Sequence, residues 1–208
     1  MYLITNRHLC NEYRYFDVIC EAVKSGVENI IIREKDLNND ELANLYRTIN
    51  YNLVDKGLKA NLIINSNISV FEEVKADGIH LPFELFKKKL NDKYEFDNKK
   101  ILGISTHSID EIIYLEKIMK DKKIKIDYII LSHIYETDCK KNVAPKGINL
   151  LKDANEITNI KIVALGGITP DNIYETYKYC GDIAVMSQIM KSQNVNELVN
   201  KYIQKHNK

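Results

Sequence analysis

The sequence predicts an α/β protein that folds as a single (β/α)₈ TIM barrel over residues 1–208. Eight short apolar runs alternate with longer amphipathic segments, and 208 residues suffice for eight such units. The runs are rich in Ile, Val and Leu without clean alternation, which is typical of parallel strands covered on both faces. No linker rich in Pro, Gly or Ser divides the chain. An open doubly wound sheet is the alternative.

The predicted strands share a length of four or five residues. They are Tyr2–Thr5, Asn29–Arg33, Asn61–Asn65, Gly78–Leu81, Ile101–Ser105, Tyr128–Ser132, Ile162–Leu165 and Ile183–Met186.

Helical spacing and capping residues predict the segments between several strands. Gly26 is a candidate C-cap, and Ser108 or Asp110 can cap a helix that carries Ile112 and Leu115. The helices predicted in this way are Asp17–Lys24, Asp40–Lys56, one from Ser108 or Asp110, one starting at Thr169-Pro170-Asp171, and Val195–Gln204. The polar stretch Asn91–Lys100 is predicted to be a surface loop.

Composition excludes several classes of partner. The formal net charge is +1, which argues against a broad nucleic-acid or anionic-membrane surface. No apolar run approaches the roughly 20 residues of a membrane span. The opening Met1-Tyr2-Leu3-Ile4-Thr5 is predicted to be a strand, not a signal peptide, and the four cysteines form no CxxC pair. We therefore expect a cytoplasmic protein with reduced thiols.

Polar residues follow the predicted strands, where α/β folds place their chemistry. In a barrel, these strand ends converge on one mouth. They are Arg33-Glu34-Lys35, Asn65-Ser66, Ser105-Thr106-His107, residues 133–141, Gly166-Gly167 and Ser187.

His133 stands at the end of the sixth predicted strand. An imidazole has a pKa suited to proton transfer near neutral pH, so His133 is the candidate general acid or base. A backbone carbonyl could instead satisfy this ring. His107 and His80 are weaker candidates, and His80, inside a strand, is expected to pack. A catalytic role for Cys139 lacks a general base tied to it by sequence.

A phosphate site is predicted at the ends of the last two strands. Leu165-Gly166-Gly167-Ile168-Thr169-Pro170 joins the seventh strand to a helix, and Ser187 follows the eighth strand. Glycines let the backbone approach an anion, and barrels commonly bind phosphate in these two loops. The alternative is a pair of glycines that only forms a tight turn.

Arg33 is a strand-end cation that could bind a carboxylate or phosphate, and Asn65 could hydrogen-bond the same ligand. The alternative for Arg33 is a surface charge run. Metal ligands are poorly represented, because Glu84 is the sole acid near the third and fourth strand ends, so no metal or other cofactor is expected.

These residues resemble the thiamine phosphate synthase/TenI superfamily along nearly the whole chain. The motifs that carry the resemblance are Tyr2-Leu3-Ile4-Thr5, Ile32-Arg33-Glu34-Lys35, Ile63-Ile64-Asn65, Ala76-Asp77-Gly78-Ile79-His80-Leu81, Gly103-Ile104-Ser105-Thr106-His107-Ser108, Leu165-Gly166-Gly167-Ile168 and Ala184-Val185-Met186-Ser187. The family fold is a (β/α)₈ barrel.

The resemblance separates two branches. Synthases couple a pyrimidine diphosphate to thiazole phosphate with magnesium, and their pattern has an acid where this chain has Ser66 and another at Leu85. Thiazole tautomerases of the TenI type carry a His followed by a bulky pair and then Glu-Thr-Asp-Cys-Lys-Lys, which matches residues 133–141. This match favours the tautomerase, an isomerase that aromatises a carboxythiazole phosphate by proton transfer.

The tautomerase interpretation implies His133 as the catalytic residue, a small phosphorylated thiazole as substrate, and a homodimer as a compatible assembly. The implied substrate-binding residues are Arg33, Asn65, Ser105, Thr137, Lys140, Gly166, Gly167, Met186 and Ser187, and Tyr135 is expected to pack on the thiazole. The alternatives are a magnesium-dependent thiamine phosphate synthase and a noncatalytic regulator that binds a phosphorylated ligand.

Overall fold

A computed structural model describes residues 1–137 and 143–206. Its eight strands pair in sequence order and close into a parallel barrel, which confirms the predicted fold class. The strands are β1 Tyr2–Ile4, β2 Asn29–Ile32, β3 Asn61–Asn65, β4 Gly78–Pro82, β5 Ile101–Thr106, β6 Tyr128–Ser132, β7 Lys161–Leu165 and β8 Asp182–Val185.

All eight predicted strands are present, and their ends differ from the predictions by at most one residue. Two short 3₁₀ helices, Arg7–Leu9 and Glu12–Arg14, follow β1. The α-helices of the described residues are α1 Tyr15–Lys24, α2 Asn39–Asp55, α3 Ile68–Val74, α4 Phe83–Asn91, α5 Ile109–Lys122, α6 Gly147–Ile157, α7 Ile173–Tyr177, α8 Ser187–Met190 and α9 Val195–His206. None of these helices is both long and apolar enough to cross a bilayer.

The chain divides into two compact units, Met1–Ile79 with Val185–Lys208, and His80–Ala184. The expectation of one domain over residues 1–208 stays a prediction. In the first unit, β2 pairs with β1 and β3, and its Ile30, Ile31 and Ile32 are almost fully buried. Each such side chain contributes roughly 1.5–3 kcal/mol on burial, so this strand anchors its unit.

The helices of the first unit pack through their apolar faces. Helix α1 contacts α9, α2 and α8, and α2 contacts α3. The predicted C-cap residue Gly26 has φ +108°, and a Cβ there would lie 2.7 Å from Cδ1 of Ile203 in α9. Gly26 therefore serves both the helix end and the close packing of α1 on α9.

In the second unit, β5, β6, β7 and β8 form a continuous parallel ladder, and α5 packs on α6. Tyr128 lies over Gly103 of the neighbouring strand, where a Cβ would come within 2.1 Å of the phenol ring. The predicted loop Asn91–Lys100 also contributes aromatic rings, because Phe96 packs 5.3 Å from Phe86, centroid to centroid.

The prediction for the start of α7 is wrong. The helix begins at Ile173, not at Thr169-Pro170-Asp171. The Asn172 side chain accepts from the Thr169 N–H and donates to the Gly167 carbonyl, at 2.8 and 2.9 Å. These bonds fold residues 167–172 into a turn, which Pro at a first-turn position does not distinguish from a helix start.

Candidate active site

The ends of β1 and β2 are joined by a buried carboxylate. Glu34 is 5% exposed and accepts hydrogen bonds from the Thr5 hydroxyl at 2.7 Å and the Tyr15 hydroxyl at 2.9 Å. The Arg7 N–H donates to both carboxylate oxygens, at 3.2 and 3.0 Å, and the Arg7 guanidinium lies 3.4 Å from Oε2. We call Thr5, Arg7, Tyr15 and Glu34 the Glu34 network. It gives a buried charge the several donors it needs.

Arg33 lies immediately beyond β2, and its side chain is half-buried. Its backbone N–H donates to Thr5 Oγ at 3.1 Å. Its guanidinium makes no hydrogen bond or ion pair with any residue in the described ranges, 1–137 and 143–206. The predicted anion-binding role of Arg33 is compatible with this uncompensated charge.

Asn65 ends β3 and is half-buried. Its amide nitrogen donates to Ser66 Oγ at 2.9 Å, and Ser66 has φ +65°. The same turn continues into Asn67, whose side chain caps α3 through the Val70 N–H. The Asn65 side chain is therefore held by its neighbour, and its predicted contact with a ligand stays a prediction.

Met186 and Ser187 form the turn between β8 and α8. Both are half-buried. The Met190 N–H returns to the Met186 carbonyl and the Lys191 N–H to the Ser187 carbonyl, each at 3.0 Å. The first N–H groups of a helical turn have no partner within it, so this turn presents donors where a phosphate contact is predicted.

In the second unit, His133 follows β6 directly and is 3% exposed. Its Nε2 lies 3.1 Å from the Val143 carbonyl oxygen. Because a carbonyl can only accept, Nε2 carries the proton, and in the neutral ring Nδ1 is the remaining basic nitrogen. This geometry matches the alternative in which a backbone carbonyl satisfies the ring.

The segment after His133 packs against the glycine turn that follows β7. The Ile134 N–H donates to the Leu165 carbonyl at 3.0 Å, and the Tyr135 N–H to the Gly166 carbonyl at 2.9 Å. A Cβ on Gly166 would lie 2.3 Å from His133 Cβ, and one on Gly167 would lie 2.3 Å from the Glu136 carbonyl oxygen. We call this approach of Gly166 and Gly167 to residues 133–136 the glycine contact.

Both glycines also have positive φ, +102° at Gly166 and +66° at Gly167. Glycine is therefore required at both positions, because φ is positive and because a Cβ would overlap residues 133–136. Thr137 is half-buried and ends this described stretch, whereas Lys140 and Cys139 lie outside the described residues. The phosphate contacts predicted for Gly166, Gly167, Thr137 and Lys140 stay predictions.

Tyr135 is tied to the protein by its hydroxyl. The phenol oxygen lies 3.0 Å from Thr176 Oγ1 on α7. The hydroxyl end of the ring is therefore directed to this helix, and the packing of the ring on the thiazole stays a prediction.

Ser105 in β5 is hydrogen-bonded to His80, a contact that the sequence did not predict. His80 Nε2 lies 2.7 Å from Ser105 Oγ, and the His80 ring stacks on Tyr128 with centroids 5.6 Å apart. His80 is 3% exposed, as expected of a packed strand residue. The separation of 25 residues hides this pair, because only the register of the strands brings them together.

His107 is exposed and not buried beside the other candidates. Its Nδ1 lies 3.1 Å from the Ser132 carbonyl oxygen, so the ring donates to the end of β6.

The thiol of Cys180 is a poor nucleophile. Burial raises its pKa to about 12, and its Sγ donates to the Thr176 carbonyl.

The described residues do not form a magnesium site of the kind that the resemblance implies. Ser66 supplies no charge, and the Glu84 side chain is 79% exposed and pairs with Lys87 at 3.5 Å. Among residues 1–137 and 143–206, no three His, Cys, Asp or Glu side chains group as metal ligands. Mg²⁺ is bound through carboxylate oxygens, so these strand ends do not fit it.

A closed (β/α)₈ barrel with a glycine turn after β7 and polar residues at its strand ends is typical of enzymes that act on small phosphorylated molecules. Residues 1–189 match the family TMP-TENI, described as thiamine monophosphate synthase. The chain belongs to this family.

Two relatives illustrate the similarity. The putative thiamine-phosphate synthase 2 of Aquifex aeolicus (strain VF5) is 34% identical over 182 residues, covering 86% of this chain and 90% of the relative. The thiamine-phosphate synthase of Clostridium novyi (strain NT) is 31% identical over 202 residues, covering 94% and 92%.

A solved structure agrees in fold. The thiamine phosphate pyrophosphorylase from Pyrococcus furiosus has a TM-score of 0.78 and 25% identity, covering 99% of this chain and 94% of that chain. Together the comparisons support an enzyme of thiamine biosynthesis.

These findings contradict the predicted thiazole tautomerase. The relatives that cover most of the chain are named as synthases, so the comparisons favour the synthase alternative, and they do not support an isomerase. The prediction gave most weight to the segment from His133 to Lys141, and the last four of these nine residues lie outside the described residues. Similarity over the whole chain carries more information than that one loop.

Proposed function

We propose that this protein is a thiamine phosphate synthase, which couples a thiazole phosphate to a pyrimidine carried as its diphosphate. The observation that carries the proposal is the similarity to proteins named as synthases over about nine-tenths of the chain, 86% and 94% in two cases. The site residues support it because both substrates are anionic and the strand ends offer neutral donors and an uncompensated cation.

The coupling has simple chemical requirements. The thiazole and pyrimidine are joined, and the diphosphate leaves with the bonding electrons. The enzyme must hold the two substrates together and stabilise negative charge as it develops on the leaving group. No residue needs to act as a nucleophile.

We assign the thiazole phosphate to the glycine turn Gly166-Gly167, and the phosphate contact of Met186 and Ser187 stays a prediction. The Gly167 N–H makes no hydrogen bond to any described residue, and a glycine lets a phosphate oxygen approach the backbone closely. Thr137 and Lys140 are proposed to assist, and a homodimer stays a prediction.

We assign the diphosphate to Arg33, with Asn65 as a hydrogen-bonding group, and the ligand contact of Ser105 stays a prediction. A guanidinium can bind two phosphate oxygens at once, and the Arg33 side chain has no competing carboxylate among the described residues. The synthases that this chain resembles use magnesium to neutralise the leaving group. Since the described residues do not fit that ion, we derive no step through it.

The test is a coupling assay with both precursors and magnesium chloride, followed by chromatography for thiamine phosphate. Arg33→Ala is expected to lower kcat/KM by about 10²-fold or more, because it removes a charge that acts on the leaving group. Arg47→Ala is the matched control, because Arg47 is an exposed arginine paired with Glu73 on α3, and its loss should change kcat/KM less than about twofold.

Absence of thiamine phosphate from the wild-type reaction would contradict the proposal. Equal effects of Arg33→Ala and Arg47→Ala would contradict the assignment of the diphosphate to Arg33.

A further inference from the structure

We propose that Thr5 and Glu34 are positioning residues, which fix the backbone of Arg33 and so aim its guanidinium at the anionic group of the ligand. This inference rests on the proposed function for the identity of that ligand. It concerns side chains that no sequence motif marks as a unit, since Thr5 and Glu34 are separated by 29 residues.

Glu34 is held in place by several hydrogen-bond donors. Its two oxygens receive the Thr5 and Tyr15 hydroxyls and the Arg7 N–H, and its side chain is 1% exposed. Burial and the neighbouring Glu34 charge raise the pKa of Tyr15 well above its usual range, so Tyr15 remains a donor. A buried carboxylate whose donors come from α1 and from the segment between β1 and α1 has one stable position.

The Thr5 hydroxyl donates one hydrogen bond and accepts another. Thr5 is fully buried, and its hydroxyl has a single hydrogen. That hydrogen goes to Glu34, which can only accept when ionised, so Thr5 Oγ is an acceptor toward Arg33. The chain from Arg33 N–H to Thr5 Oγ to Glu34 therefore runs in one direction, with contacts of 3.1 and 2.7 Å.

The two arginines near this network differ in whether their charge is paired. The Arg7 guanidinium is neutralised, because it contacts Glu34 and donates to Asp36 at 2.8 Å. Arg33, in contrast, has its backbone fixed by Thr5 and its guanidinium without a partner among the described residues. The charge of Arg7 is therefore paired with carboxylates, whereas the charge of Arg33 is available to a ligand.

Thr5 offers a matched pair of substitutions. Thr5→Val keeps the shape of the side chain but removes the hydroxyl, whereas Thr5→Ser keeps the hydroxyl and loses a methyl group. A role in packing alone predicts that Ser and Val have similar effects on ligand binding. A role in positioning predicts that only Val weakens the binding of an anion.

The experiment measures the binding of inorganic pyrophosphate by calorimetry, with the wild-type chain and both Thr5 variants, each made with Arg33 and with Arg33→Ala. We expect Thr5→Val to weaken binding about tenfold, as for loss of one hydrogen bond to a charged group, and Thr5→Ser less than about twofold. In the Arg33→Ala background, Thr5→Val should add no further loss. In the coupling assay, Thr5→Val should lower kcat/KM for the diphosphate substrate about tenfold, with part of the loss in kcat because Arg33 acts on the leaving group, and Thr5→Ser should lower it less than about twofold.

Glu34→Gln provides a second route if Thr5→Val fails to fold, as judged by its melting curve. It removes the charge that orders the Thr5 hydroxyl and should weaken pyrophosphate binding in the Arg33 background only. Failure of the wild type to bind pyrophosphate, equal binding by the two Thr5 variants, or a further loss in the Arg33→Ala background would each overturn the inference. If Thr5→Val binds pyrophosphate more weakly than Thr5→Ser but the wild type couples no substrates, the inference is supported and only the proposed function is refuted.

Discussion

The ends of β1 and β2 are held by a buried charge, whereas the ends of β6 and β7 are held by close backbone approach. The Glu34 network needs particular donor atoms around one carboxylate. The glycine contact requires residues without a side chain, because a Cβ at either glycine would lie 2.3 Å from the facing segment. The two regions should therefore fail in different ways: the first through lost hydrogen bonds and the second through steric overlap.

The largest effect is expected when the glycine contact is broken. Gly167→Ala places a Cβ against the Glu136 carbonyl at a φ of +66°, whereas Gly147→Ala meets no atom within 4 Å at a φ of +78°. We expect Gly167→Ala to lower the free energy of unfolding by about 3 kcal/mol or more and Gly147→Ala by about 1 kcal/mol. Urea unfolding measures both, and equal losses would show that backbone conformation alone sets the cost.

The Glu34 network should respond to a change of charge at constant shape. Glu34→Gln replaces one carboxylate oxygen by an NH₂ group, which cannot accept the hydrogen bonds that this oxygen receives. We therefore expect the free energy of unfolding to fall by about 2–3 kcal/mol. Glu73→Gln, at an exposed pair with Arg47, should cost less than about 0.5 kcal/mol. Similar values for the two variants would contradict the structural role of the buried carboxylate.

A third strand end sharpens the comparison, because β5 uses a hydrogen bond between a histidine and a serine side chain. His80→Asn and Ser105→Ala each remove the 2.7 Å contact between Nε2 and Oγ. We expect the double variant to lose about 1 kcal/mol less than the sum of the single losses in unfolding free energy. Additive losses would mean that the contact contributes nothing.

The smallest effect concerns the exposed edge of the Glu34 network. The hydrogen bond from Arg7 lowers the pKa of Asp36 to about 2. Its folded pKa is depressed, so its contribution is present above the ordinary pKa near 4 and is lost as the pH falls through about 2. His8 Nε2 also lies 3.1 Å from Asp36 Oδ2, and histidines change charge between about pH 5 and 8, so the comparison is made below that range. The difference in melting temperature between wild type and Asp36→Asn should therefore shrink from pH 4 to pH 2. A difference that stays the same over that range would contradict this assignment.

The barrel was predictable from the sequence because each strand is a short run of buried aliphatic residues, such as Asn29–Ile32, bounded by polar residues. Several helices were not predicted. Helices α3 and α8 have 7 and 4 residues, too short to show a clear period, and α4 begins at a proline-phenylalanine pair without a side-chain cap.

The candidate site was predictable only in part. Strand-end position identified Arg33, His133 and the two glycines, but it could not show that Glu34 is buried or that His80 reaches Ser105. These contacts join residues 25 to 29 positions apart and depend on strand register. The match of residues 133–141 to a tautomerase motif was given too much weight, and comparison over the whole chain corrected the activity.

The most direct test of the account is the product balance of one reaction. Wild-type protein is incubated with thiazole phosphate, the pyrimidine diphosphate and magnesium chloride, and thiamine phosphate and inorganic diphosphate are quantified together over time. The proposed synthase predicts that both products appear in equal amounts and at a rate proportional to protein concentration. Unchanged precursors, or diphosphate released without thiamine phosphate, would contradict it.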